Sequence, residues 1–237
     1  MTKSVELGDY EDISFSSRKI RHGFIKKVFG IVMCQLILSL GILSLFVYIP
    51  AVRQFVVVHP YLVWIALIVH IVIAIVLICW EEARKKYPWN YIILGLFTLN
   101  MGFLLGATSA RYSADEIFIA VAACIAVCLA LILFAMQTKY DFTTFGGILF
   151  SVLIIFIIFG LVQLFFPGKV MNMIYSAFGA LLFSFYLVYD VQLMMGGNHK
   201  YAISPEEYIL AALNIYLDII NIFLYMLSLV SGSKSAT

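Results

Sequence analysis

Long apolar stretches alternate with short polar segments along most of the chain. Five stretches contain no Asp, Glu, Lys or Arg, and two more contain a single Asp each. A helix needs about 20 largely apolar residues to cross the hydrocarbon core of a bilayer. The seven stretches are 28–50, 54–80, 87–110, 117–138, 142–168, 170–195 and 208–233. The pattern therefore predicts an all-α integral membrane protein, a bundle of seven spanning helices.

The same pattern argues against a barrel and predicts the domain organisation. A membrane β-barrel would need alternating segments of about ten residues, which this chain does not show. We expect one membrane domain over residues 28–231, a polar and disordered tail over 1–27, and a short C-terminal tail over 232–237. The composition agrees, because 12% of the residues are charged, whereas about 25% is usual for a soluble domain.

Basic residues are unevenly distributed between the two sides of the predicted bundle. Eleven of the Lys and Arg residues fall on the side of the N-terminal tail and four on the opposite side. Since basic residues near the ends of spans stay cytoplasmic, we expect a cytoplasmic N-terminus. The net charge of +2 gives no indication of a nucleic-acid partner, and membrane lipids are the expected surroundings.

Asp190 and Asp218 are the two carboxylates that lie inside the predicted spans. An ionisable side chain in the middle of a membrane helix costs about 2.5–3.5 kcal/mol on insertion scales, so it usually faces a bundle interior or a watery cavity. A structural polar contact between helices is the alternative explanation. We treat both residues as candidates for a functional site.

Polar side chains recur along one face of the last predicted span. Asn214, Asp218, Asn221 and Tyr225 follow one another at spacings of 4, 3 and 4, which places them on one side of a helix. The residues around this face are apolar. The pattern predicts a C-terminal helix that sits centrally in the bundle, with one polar line facing a cavity.

Asp190 and Asp218 lie at similar depths in their spans, which allows a direct contact. Two carboxyl groups in contact would share a proton over some range of pH. Carboxylate and amide oxygens are also the ligands that calcium prefers. Our hypothesis is that protonation and transient calcium binding compete at this pair, which couples pH to a calcium path. No cofactor is expected, and calcium enters as the permeant ion.

Five segments carry a resemblance to a known family. They are 21–28 (RHGFIKKV), 87–90 (YPWN), 137–147 (QTKYDFTTFGG), 189–194 (YDVQLM) and 204–221 (SPEEYILAALNIYLDIIN). With these segments the chain resembles the transmembrane Bax inhibitor motif family, in its lifeguard branch. The resemblance implies six helices around a central seventh, acting as a pH-sensitive calcium leak that restrains cell death. It also implies that the family's aspartate pair falls on Asp190 and Asp218.

The resemblance further implies a location, partners and a latch. We expect the endoplasmic reticulum, the Golgi or another endomembrane, with the plasma membrane as an alternative, and apoptosis-regulating or receptor membrane proteins as partners. Bacterial relatives place an Arg near the cytoplasmic end of the second helix as a latch to the pair, whereas Glu82 stands close to that position here. Arg84 could serve as the latch, Glu81 and Glu82 could draw cations to the mouth, or the segment could be a solvated loop.

Two classes of function stay open at this point. The first is a calcium-permeable leak channel that the aspartate pair gates. The second is a membrane interaction protein that restrains cell death by binding partner proteins, without transport being essential. An enzyme is not expected, because the spans contain no nucleophile with a paired base and no cluster of metal ligands.

Overall fold

Most of the chain is helical. The structure is a computed structural model that describes residues 2–166, 168–196 and 199–234, with side chains described from residue 19 onward except at 164 and 234. Its helices are α1 (Thr2–Tyr48), α2 (Pro50–Val58), α3 (Tyr61–Cys79), α4 (Glu81–Lys85), α5 (Trp89–Ser109), α6 (Ala114–Gln137), α7 (Gly146–Phe165), α8 (Lys169–Met195) and α9 (Tyr208–Lys234). Short 3-10 helices, Phe142–Phe145 and Pro205–Glu207, precede α7 and α9. No strand occurs among the described residues, which confirms the all-α prediction.

Seven helices of the described chain are long and apolar enough to cross a membrane. They are α1 from Lys19 onward, α3, α5, α6, α7, α8 and α9. The predicted number of spans is therefore confirmed. We call the side with α4 and the starts of α7 and α9 the first side, and the side with α2 and the starts of α6 and α8 the second side. The cytoplasmic location of the first side stays a prediction.

The second predicted span is shorter than expected. The sequence analysis placed one span over 54–80, but the structure has α2 and α3 separated by a break at His59 and Pro60. Proline lacks a backbone N–H and disfavours helical dihedrals at the residue before it. His59 accordingly has φ of −117° and ψ of 64°. The spanning helix begins only at Tyr61.

Helix α1 begins within the segment that was expected to be a disordered tail. It starts at Thr2, and Phe24 is buried in the main core. The last turns of residues 1–27 therefore pack against the bundle. The division into tail and domain stays a prediction, and residues 235–237 of the expected C-terminal tail lie outside the described residues.

Helices α9 and α5 form much of the interior. About half of the apolar stretch of each is buried, 56% for α9 and 50% for α5. Helix α7 is nearly all exposed, with Phe156 as its buried residue among those described. Helix α9 packs against α8, α6, α1 and α5, while α7 packs mainly on α8. Because these helices surround much of α9, its polar face contacts protein rather than lipid. A central position with all six other spans around α9 stays a prediction.

Glycines bring α5 close to α1. A Cβ added at Gly102 would lie 2.6 Å from Cδ1 of Ile42, and one at Gly106 would overlap the ring of Phe46. Small residues at helix interfaces allow this approach in membranes, where van der Waals packing replaces the hydrophobic effect as the driving force. The two glycines therefore position α1 against the interior helix α5.

Candidate functional site

Asp190 on α8 and Asp218 on α9 meet inside the bundle. The two residues are 6% and 4% exposed, and their carboxyl groups lie next to each other, close enough to interact directly. An ionised carboxylate only accepts hydrogen bonds, so two carboxyl groups can bond to each other directly only while they share a proton. Asn214 donates from Nδ2 to Oδ1 of Asp190 over 3.4 Å. The direct contact that the sequence only allowed is thus present.

One oxygen of the pair has no hydrogen-bond partner. Oδ2 of Asp218 is buried and unpartnered in the described part of the chain. A buried polar atom of this kind usually binds water, a proton or an ion, because leaving it unpaired costs free energy. The two carboxyl groups offer hard oxygen donors of the kind that calcium prefers. Among the described residues no group of three or more His, Cys, Asp or Glu is arranged to hold a metal ion.

The neighbours of the pair are polar but uncharged. Tyr186 on α8 lies near both carboxyl groups and Tyr189 lies near Asp190. Cys128 on α6 lies near Asp218. No Lys or Arg with a described side chain forms a salt bridge with either aspartate. The pair therefore has no cationic latch in this structure.

Arg84 lies elsewhere and binds the start of the last helix. Its Nε and a terminal nitrogen donate to the carboxylate of Glu207 over 2.6 and 3.1 Å, and Nη1 donates to the carbonyl oxygen of Ile78 over 2.7 Å. Glu207 precedes Asp218 by eleven residues, about 16 Å along a helix axis. Arg84 therefore does not reach the aspartate pair in this arrangement, and its role as a latch stays a prediction. Arg84 instead joins α4 and the end of α3 to the start of α9.

The two glutamates beside Arg84 have different surroundings. Glu81 pairs with Lys85 over 2.5 Å and its side chain is 64% exposed, and Glu82 is exposed at the surface. The hydrogen bonds that Arg84 donates to Glu207 raise the pKa of Arg84, and the one that Lys85 donates to Glu81 raises the pKa of Lys85. Both basic groups therefore stay charged at neutral pH. A role of Glu81 and Glu82 in drawing cations stays a prediction.

The polar face of α9 divides between two places. Asn214 belongs to the carboxyl pair, whereas Asn221 donates from Nδ2 to the carbonyl oxygen of Leu217 over 2.8 Å. Tyr225 packs its ring against Gly179 and lies 5.9 Å from the ring of Phe183. The predicted line of polar residues thus starts at the aspartate pair and continues toward the second side.

A cavity of about 680 Å³ opens where that line continues. It lies between α5, α7, α8 and α9. Polar residues make up much of its lining: Thr108, Gln163, Asn172, Tyr175, Ser176, Asn221, Tyr225 and Ser228. Hydrogen bonds run from Gln163 to Asn172 and on to Ser228, over 3.2 and 3.3 Å. Asn221 stands about one helical turn from Asp218, so the cavity approaches the carboxyl pair from the second side.

Two further contacts, which were not predicted, hold the first side together. The carboxylate of Glu207 binds Arg84, while Ser204 caps the same turn by accepting from the backbone N–H of Glu206. Arg21, the first residue of the family segment 21–28, donates to the carbonyl oxygens of Met194 and Ile203 over 3.3 and 2.8 Å. The partners of both side chains are distant in the sequence, so no local pattern indicates them.

Asp141 organises the segment between α6 and α7. It accepts from the hydroxyl of Thr143 over 2.6 Å and from the backbone N–H of Lys200 over 2.8 Å. These hydrogen bonds lower the pKa of Asp141 to about 2. His199 lies 3.3 Å away through Nδ1. Asp141 therefore ties the α6–α7 connection to the α8–α9 connection.

The fold and the site together define a class: an all-α, multi-pass membrane protein with a buried carboxyl pair between its last two spans. Within that class the chain belongs to a known family. Residues 21–235 match the family model described as "Inhibitor of apoptosis-promoting Bax1". The resemblance inferred from the five sequence segments is thereby confirmed.

Curated relatives agree with this membership. Human "Protein lifeguard 3" is 37% identical over 226 residues, which cover 94% of this chain and 71% of the human protein. Its mouse counterpart is 35% identical over 235 residues, with 98% and 74% covered. The "Golgi anti-apoptotic protein" of Vaccinia virus (strain Lister) is 34% identical over 224 residues, with 94% and 90% covered. None of these three names describes an enzyme.

Proposed function

We propose that this protein is a pH-sensitive, calcium-permeable leak of intracellular membranes, and that Asp190 and Asp218 gate it. The observation that supports the proposal most is the contact between two buried carboxyl groups, one with an unpartnered oxygen, beside a polar cavity. A structural polar contact would need neither the free oxygen nor the cavity. The names of the relatives support a role in suppressing apoptosis.

The gate works through competition between a proton and a cation. The proton between the two carboxyl groups links α8 to α9, and its loss leaves two adjacent negative charges that repel each other. The same two charges attract calcium, which prefers carboxylate oxygens. A proton and a calcium ion therefore exclude each other at one place, and the rate of calcium passage depends on pH.

The cavity supplies the path on the second side. Its hydroxyl and amide groups can replace part of the hydration shell of a cation, and it ends near Asn221, one turn from the pair. On the first side, Arg84 and Glu207 hold the start of α9 close to α3 and α4. In this proposal the carboxyl pair is the barrier between the cavity and the first side.

Calcium efflux from proteoliposomes, measured across pH, tests the gate. We expect Asp218→Asn and Asp190→Asn to change the flux and to flatten its dependence on pH. Asp115→Asn is the matched control, because it makes the same substitution at an exposed carboxylate on the second side. Wild-type flux and pH dependence in both gate variants would refute the proposal.

The alternative is a membrane protein that restrains cell death by binding partner proteins. The family description and the name of the viral relative favour a function in apoptosis without mentioning transport. A survival assay in cells that express the Asp190→Asn, Asp218→Asn double variant separates the two. Full protection without pH-dependent calcium flux favours partner binding, and loss of both favours the leak.

The name of the viral relative also supports a location. We propose the Golgi as the first compartment to examine, with the N-terminus in the cytoplasm. Fluorescence microscopy of the tagged chain against Golgi and endoplasmic reticulum markers tests the compartment, and protease protection of an N-terminal tag tests the orientation. A protected N-terminal tag would reverse the assignment of the first side.

A further inference from the structure

A second cavity lies on the opposite flank of α9 and is apolar. It has a volume of about 550 Å³, within the range of about 300–1,000 Å³ that is usual for ligand sites. Helices α1 and α6 form its two walls and α9 forms its floor. The floor residues are Ile219, Ile220 and Phe223. This groove contributes nothing to the proposed ion path, because its lining offers almost no oxygen to a cation.

The groove opens onto the surface that faces lipid. Its rim residues Met33, Ile37 and Leu129 are 56%, 65% and 57% exposed. Along α1 it extends from Phe29 to Leu43, a rise of about 21 Å. The hydrocarbon core is about 30 Å thick, so the groove reaches from the first side beyond the middle of the membrane. An elongated apolar ligand fits that shape.

The groove also touches the element that carries the gate. The Sγ of Cys124 on α6 donates to the carbonyl oxygen of Ile219 over 3.6 Å, and Ile219 follows Asp218 directly. Cys128 lines the groove as well and lies near Asp218. An occupant would therefore press on α9 at the level of the carboxyl pair.

Basic residues stand at the first-side end of the groove. Lys26 precedes Phe29 by three residues, which places it on the same face of α1, and its side chain is exposed. Lys139 follows the end of α6 and is exposed as well. Neighbouring Lys27 instead makes a cation–π contact, with its Nζ 3.2 Å from the centre of the Tyr208 ring. A negatively charged head group at this end would complement Lys26 and Lys139.

We propose that the groove between α1 and α6 binds a phospholipid with an anionic head group. One acyl chain lies in the groove against α9, and the head group lies between Lys26 and Lys139. The apolar floor selects an acyl chain over any polar ligand, and the two lysines select the charge of the head group. The inference does not depend on calcium transport.

Photo-crosslinking in nanodiscs tests the site with the full-length chain. The probes are phosphatidylserine and phosphatidylcholine that carry a photoreactive diazirine in one acyl chain. We expect the phosphatidylserine probe to label the groove segments of α1 and α6 more strongly than it labels the outward face of α7. It should also label these segments more strongly than the phosphatidylcholine probe does. Each lysine near an anionic surface contributes about 1 kcal/mol, so Lys26→Gln or Lys139→Gln should lower the preference for phosphatidylserine about fivefold. Lys169→Gln, at the start of α8 on the second side, is the matched control and should leave it unchanged.

Filling the groove provides an independent measurement. Leu36→Trp places a large side chain on its wall and should remove the labelling of α6, and Ile132→Phe repeats the test from the other wall if the first variant does not fold. Ile155→Trp, on the exposed face of α7, is the control. Equal labelling by the two probes would overturn the proposal, as would labelling that survives both groove variants. With the exposed Cys34 and Cys79 replaced by Ser, disulfide-linked dimers formed through Met33→Cys would show that a second copy occupies the groove, which also overturns the proposal.

Discussion

The bridge between Arg84 and Glu207 makes the sharpest stability prediction. Replacing Arg84 by Gln removes two charge-assisted hydrogen bonds to Glu207 and one to the carbonyl oxygen of Ile78. The hydrogen bond with Glu207 raises the pKa of Arg84, so the guanidinium is charged at every pH at which the protein is handled. The effect of the variant should therefore not depend on the protonation state of Arg84.

The expected magnitude follows from the surroundings of the pair. A hydrogen bond to a charged group contributes about 1.5–3 kcal/mol when enclosed, whereas an exposed ion pair contributes about 0.2–1 kcal/mol. Both side chains are 14% exposed, which places the pair between these limits. Lys85, with Nζ 3.2 Å from Glu207, retains part of the attraction after Arg84 is lost. We expect a loss of about 2 kcal/mol, or an apparent Tm lower by about 4–8 °C.

Buried thiols supply the assay. Cys124 and Cys128 are buried, whereas Cys34 and Cys79 are exposed. With the two exposed cysteines replaced by Ser, a thiol-reactive dye reports the opening of α6 during a temperature ramp in detergent. Lys85→Gln is the control, since the Lys85 side chain is more exposed than that of Arg84 and its loss should shift the transition less.

A double-mutant cycle completes the test. Arg84→Gln and Glu207→Gln together should cost less than the sum of the single changes, because each single change already removes the same contact. Additive effects, or an Arg84→Gln shift no larger than that of Lys85→Gln, would refute the idea that this bridge holds the start of α9.

Three further predictions address other contacts. The pKa of the Asp141 carboxylate is lowered to about 2. Its stabilising contribution is therefore complete above the unfolded pKa of about 3.9 and is lost as the pH falls toward 2. Hydrogen exchange of the Lys200 amide should be faster in Asp141→Asn than in wild type at neutral pH, and the difference should shrink below pH 4. Gly106→Leu should lower the free energy of unfolding by about 1–3 kcal/mol in a thermal unfolding experiment, since the new side chain would overlap Phe46. Gly95→Leu is the control and should be tolerated, because a Cβ at that position meets nothing within 4 Å. Tyr216→Phe removes a 2.7 Å hydrogen bond to Ser39 and should cost about 0.6–1.7 kcal/mol, so a cost of zero would show that the bond contributes nothing.

Much of the fold follows from the sequence because lipid imposes a simple rule. A chain in a bilayer must satisfy its backbone internally, so a long uncharged stretch is a helix. Six of the seven predicted spans agree closely with the helices. The exception is 54–80, where the helix is interrupted at Pro60 because proline disfavours helical backbone angles even in an apolar stretch. The two aspartates stood out for the same reason, since a carboxylate is costly in a span.

The sequence by itself determined the class of protein, the number of spans, the family and the two candidate carboxylates, because each depends on local composition or on spacing within one helix. Only the tertiary structure decided which side chains meet. The contact of Asp190 with Asp218 depends on how α8 packs against α9, and the partner of Arg84 depends on where α4 lies relative to the start of α9. Periodicity places a residue on a face of its own helix, but the neighbour of that face is set by packing between helices far apart in the chain.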